Sequence, residues 1–147
     1  MEKLNTKSLY ELYIQESGSN LDEQYFESLL LYFPCLVVAS CDGIIDDEEW
    51  VYVRYLAKFM AERHKDAKKP KELEFLKNTY FRELQFLAMS INDWKDHFIQ
   101  VLRDYLDEHD WLKDDIEDIL EAFADASDGI SPEEEEALNY LREELQI

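Results

Sequence analysis

Three glycines and three prolines are all that punctuate this chain of 147 residues. Sandwiches and barrels reverse direction often and need many more turn formers, so the scarcity points to an all-α fold. Apolar residues recur every three or four positions along most of the sequence, which is helical spacing. Hydrophobic residues make up 46% of the chain and aromatics 14%, enough for a buried core rather than a disordered segment.

The pattern predicts about seven helices in a single bundle. The first covers Lys7 to Ser17 and stops before Gly18. Asn20 is positioned to cap a long apolar segment, Leu21 to Cys41. Pro34 lies inside that segment, where a missing N–H and a clash with the preceding turn predict a kink or a split. The third helix runs from Asp46 to His64, with Trp50, Val53, Ala57 and Met60 inward and Val51, Leu56 and Phe59 widening the face. Lys65 to Lys71, with Pro70, reads as a charged surface loop. The fourth helix spans Glu72 to Ser90, with Leu73, Leu76, Tyr80, Leu84 and either Leu87 or Phe86 inward. The fifth spans Asp93 to Glu108, with Trp94, Phe98, Val101, Leu102 and Tyr105 inward. The sixth spans Leu112 to Ser127 (Ile116, Ile119, Leu120, Phe123), and the last begins at Pro132 (Leu138, Leu141, Leu145). Residues 1–20 read as an N-terminal helical segment and 21–147 as the helical domain. The aromatic residues are expected mostly in the core, while the spacing of Tyr10, Tyr13, Tyr25 and Tyr32 also suits packing across a groove or meeting a partner.

Thirty-five acids against fifteen Lys and Arg leave a formal charge of −20. Such a chain is repelled by a nucleic-acid backbone and suits cations or basic partners. Its longest apolar run, Leu29 to Ala39, falls well short of the roughly twenty residues of a membrane helix. The opening MEKLNTKSLYELY lacks the long apolar stretch of a secretory signal. Cys35 and Cys41 sit on one predicted helix and point in different directions, so no disulfide is expected between them and the setting reads as cytoplasmic.

Charge is unevenly spread. Residues 54–82 hold nine of the fifteen basic side chains against four acids, while 42–49 hold five acids and 125–136 hold six, neither with a base. The two acidic clusters share a context. Ala39-Ser-Cys-Asp-Gly-Ile-Ile-Asp-Asp-Glu-Glu49 and Ala126-Ser-Asp-Gly-Ile-Ser-Pro-Glu-Glu-Glu135 each run from a helix end through Asp-Gly-Ile into an acidic helix start. Asp46 with Glu49, and Ser131 with Glu134, have capping-box spacing. Capping explains Gly43, Gly129, Asp46, Ser131, Glu49 and Glu134 without any ligand. It leaves Asp42 and Asp128, which place negative charge where an incoming helix disfavours it. Neither loop is an EF-hand: with the glycine at the sixth loop position, the first falls on Val38 or Ala124, which supply no carboxylate. Each loop carries part of a ligand set. Pooled, they would give an oxygen-rich site for a hard divalent cation.

The paired motifs ASCDGIIDDEE and ASDGISPEEE, in a helical chain of this length, resemble the TerB family of tellurite-resistance-associated proteins. The resemblance implies an all-helical fold of about seven helices and an acidic divalent-metal site. It also implies a bacterial stress-response role that includes tellurite resistance, without catalysis. Carried over by motif, the metal ligands are Asp42, Asp46, Glu49, Asp128 and Glu134.

Other chemistries find little support. His64, His97 and His109 are not at ligand spacing, and Ala61, Trp94 and Leu106 stand where a Glu-x-x-His motif needs Glu. The cysteines form no Cys-x-x-Cys pair, and the isolated glycines form no phosphate loop. The leading expectation is a non-enzymatic protein that binds a divalent cation, with Ca²⁺ favoured and Mg²⁺ the nearest alternative. The competing expectation is a metal-independent protein–protein interaction module, in which the acidic motifs only cap helices.

Overall fold

In a computed structural model, the protein is all-α. Seven helices are present and no strand occurs among the described residues, which are 4–40, 47–126 and 132–147, with only the backbone of 48, 49 and 124–126. They are α1 (Thr6–Ser17), α2 (Glu23–Ala39), α3 (Asp47–Glu62), α4 (Pro70–Met89), α5 (Ile91–Glu108), α6 (Leu112–Ala126) and α7 (Pro132–Leu145).

Local chemistry sets several boundaries. Asn5 and Ser8 form a reciprocal capping box at the start of α1, with Asn5 Oδ1 accepting from Ser8 N at 2.8 Å and Ser8 Oγ accepting from Asn5 N at 2.7 Å. Gly18 closes that helix in the left-handed region at φ 70°, where a side chain would be strained. α2 begins at Glu23 after Asp22, later than the expected Leu21, and Asn20 does not cap it. Leu21 is instead drawn into the core, its carbonyl accepting from the Tyr10 hydroxyl and its N–H donating to Ser19 Oγ at 3.1 Å. α4 starts two residues before the expected Glu72, because Pro70 takes a first-turn position where no N–H is needed. The Glu72 carboxylate then accepts from the Lys69 N–H at 3.1 Å.

α2 is the axis of the fold. It is not split at Pro34 but continues through it to Ala39, and every residue from Tyr32 to Ala39 is buried. Its neighbours include α3, α5, α6 and α7, and packing against them holds the helix on its path despite the backbone bond that Pro34 removes. Phe33 stacks on Phe98 of α5 with ring centroids 4.5 Å apart. The stripe Val53, Leu56, Ala57 and Met60 anchors α3, and Leu138, Leu141 and Leu145 anchor α7 as their spacing predicted. α1 joins the same core: Leu9 and Tyr13 have no exposed surface, and Tyr13 meets Phe26, Phe86, Trp94 and Phe98.

Some inward assignments change. Val51 is 61% exposed, because the neighbours of α3 close only over the Val53–Met60 stripe. On α5 it is Leu106 that is fully buried, and Tyr105 stays half-exposed beside His109. Leu73 and Ile119 lie at the core margin. Tyr13 and Tyr32 are buried, while Tyr10 and Tyr25 pack against the core from its edge. No helix among the described residues is long and apolar enough to cross a membrane.

Candidate functional site

Of the five residues expected to hold a cation, Asp42, Asp46 and Asp128 lie outside the described residues. For Glu49 the backbone is described, within α3. Glu134 sits in the first turn of α7 with Glu133 and Glu135, is half-buried, and has an interaction partner. Among the described residues no group of three His, Cys, Asp or Glu side chains is arranged to hold a metal.

The flanks of the two acidic connectors do come together. The end of α2 and the start of α7 line one cleft of about 400 Å³, with Val37 and Ser40 on one wall and Glu133, Glu136, Ala137 and Tyr140 on another. The start of α5 closes it with Ile91, Asn92 and Lys95. The geometry follows from the packing: α2 contacts α7 directly, and α5 contacts both. Ser40 is buried, with its hydroxyl donating to the Leu36 carbonyl at 2.8 Å. The Lys95 ammonium stands 4.5 Å from the Tyr140 ring centre, within cation–π range. Burial, followed by nearby Glu144 and Asp96, raises the Tyr140 hydroxyl pKa. Arg142 ties α7 to α6: its Nε donates to both oxygens of Glu117 (Oε1 3.0 Å, Oε2 3.3 Å) and its Nη2 lies 2.9 Å from Oε1. With Lys95 beside its two carboxylates, the cleft alone is not a strong cation trap. Carboxylate oxygens are nevertheless the hard donors that Ca²⁺ and Mg²⁺ take, and the donor set fits neither a soft metal nor a cluster.

Two other features were not anticipated. Glu83 of α4 is only 3% exposed, and its Oε1 accepts from the Tyr13 hydroxyl at 2.9 Å. Its Oε2 lies 3.6 Å from Arg82 Nε. Sequence spacing held the signal: Glu83 falls seven residues after Leu76 and three after Tyr80, on the core-facing stripe. The second is a cluster on the turn after α3. His64 Nε2 is 3.3 Å from the Tyr80 hydroxyl and its ring meets Tyr25 edge-on, while Arg63 donates to the Tyr32 hydroxyl at 2.9 Å. Burial, then Lys68 and Arg63, depresses the His64 pKa, and burial pushes the Tyr80 hydroxyl up to about 12. Of the segment 65–71, expected as a loop, residues 65–67 form tight turns and Pro70 and Lys71 already belong to α4, with the Lys68 ammonium 5.7 Å from the Tyr25 ring centre. Cys35 is a free thiol in the core, where burial raises its pKa and makes it inert.

Comparison with family models, with curated proteins and with solved structures finds no match to this chain.

Proposed function

We propose that this protein is a non-enzymatic, TerB-like helical domain that binds a divalent cation, Ca²⁺ in first place, through its two acidic Asp-Gly connectors. One observation carries the reading: the end of α2 and the start of α7, which flank the two connectors, share one cleft. Carboxylates from Asp42, Asp46 and Glu49 would then act with those of Asp128 and Glu134, and the cation would offset their mutual repulsion. It would also tie the first half of the chain to the last helix. A role in stress or tellurite resistance rests on the motif resemblance alone.

Thermal melting tests the proposal. At a Ca²⁺ concentration a hundredfold above Kd, linkage adds about 2.7 kcal/mol, a rise of about 5–10 °C for a chain of this size. Asp42→Asn combined with Asp128→Asn is expected to abolish that rise while leaving the metal-free melting point within a few degrees. A wild-type protein whose melting point is the same in millimolar Ca²⁺, in Mg²⁺ and in chelator would favour the interaction-module reading, in which the acids only cap helices.

A further inference from the structure

A groove between α3 and α4 differs from the rest of this acidic surface. It has a volume of about 440 Å³ and is lined by Val51, Arg54, Tyr55, Ala57 and Lys58 of α3 and by Lys77, Asn78 and Phe81 of α4. Three of these side chains are cationic and none is acidic, in a chain where acids outnumber bases 35 to 15. Val51, Arg54, Tyr55 and Lys58 follow i, i+3, i+4, i+7 spacing, so they form one continuous helix face. Val51 is 61% exposed and Tyr55 41%. Phe81 faces them across the groove, and the buried Ala57 lies at its floor.

The cations are poised rather than spent. Among the described residues, Arg54 and Lys58 have no carboxylate within ion-pair distance. The Arg54 guanidinium lies over the Phe81 ring at 5.0 Å, which keeps it beside the groove. Lys77 is paired with Glu74 at 2.9 Å on the exposed face of α4, a contact of the kind that contributes little and exchanges easily.

We propose that this groove docks an acidic amphipathic helix of a partner protein. The partner's apolar anchor would seat against Val51, Tyr55 and Phe81. Its carboxylates would pair with Arg54 and Lys58 on the rim. This is the helix-in-groove mode, in which residues at i and i+3 or i+4 of the ligand supply the anchors. The overall charge of −20 does not forbid it. At physiological salt the screening length is about 8 Å, so local cations outweigh distant acids. An anionic membrane fits less well, because a flat bilayer cannot enter a narrow groove.

Fluorescence anisotropy tests the proposal, using a labelled helical peptide with leucines at i, i+4 and i+7 and glutamates on its other face. The peptide is expected to bind, with affinity that weakens as salt rises. Arg54→Glu with Lys58→Glu should reduce affinity about tenfold or more, because both side chains are solvent-facing rim charges opposite the ligand. Val51→Asn should weaken binding independently of charge, and Lys71→Glu, outside the groove, should leave it unchanged. Chelator should have no effect, which separates this site from the proposed cation site. The proposal fails if the glutamate peptide does not bind, or if its glutamine counterpart binds equally well. Binding of the wild type to anionic vesicles but not to the peptide would overturn it. So would self-association in sedimentation that Arg54→Glu with Lys58→Glu removes, which would make a second copy the occupant.

Discussion

The contact of α1 with α4 and the groove between α3 and α4 lie along the same helix and treat charge in opposite ways. At the first, Glu83 is buried, with one oxygen held by the Tyr13 hydroxyl and the other near Arg82. At the second, Arg54 and Lys58 face solvent with no carboxylate partner among the described residues. A charge withdrawn from water is tolerated only when it is paired or hydrogen-bonded, so Glu83 constrains how α1 sits. Charges left in water cost the fold almost nothing, so the groove is free to serve an external partner. Stability and recognition are thus separated on two sides of one element.

The sharpest way to break this contrast is at Tyr13. Tyr13→Ala removes a fully buried ring and strands the Glu83 carboxylate, with an expected loss of about 3–5 kcal/mol in chemical denaturation. Tyr13→Phe isolates the polar part: packing is kept, the donor is lost, and a cost of about 1–3 kcal/mol is expected. An unchanged denaturation midpoint for Tyr13→Phe would mean that Glu83 needs no partner. In the groove, Arg54→Glu with Lys58→Glu is expected to cost no more than about 1 kcal/mol, because both side chains are exposed and only the contact of Arg54 with the Phe81 ring is lost. The smallest effect should come from His64. Its native pKa is depressed below the ordinary 6.5, so near and below that pH the unfolded chain binds the proton more readily than the folded one. Stability contributed by neutral His64 is therefore present above pH 6.5 and declines as pH falls toward the depressed value. Melting curves of wild type and His64→Gln should diverge by about 1–2 °C across that window and run parallel above it.

The helical plan was readable because helical periodicity is a local property of the chain. Gly18 marked the end of α1 and Pro132 the start of α7, each for a backbone reason that needs no tertiary knowledge. What the sequence could not reveal depends on neighbours. Val51 and Val53 are chemically alike, yet one is 61% exposed and the other fully buried, because the neighbours of α3 cover only one of its faces. Pro34 suggested a break, but a helix surrounded by others keeps its path. Glu83 lay in plain sight on an apolar stripe, and only the position of Tyr13, seventy residues earlier, made its burial tolerable. Of the candidate metal ligands, Glu134 was legible as a first-turn acid. The meeting of the connector flanks is a tertiary fact that no local pattern carries.

The central position of α2 has a consequence for how the protein is made. Its apolar surface is covered chiefly by α3, α5, α6 and α7, and three of those are encoded in the second half of the chain. During synthesis the stretch Leu29 to Ala39 therefore leaves the ribosome long before most of its partners exist. Until α5, α6 and α7 have been made, α3 alone of these four can shield that rod, and a nascent chain with such incompletely covered apolar surface is prone to aggregate.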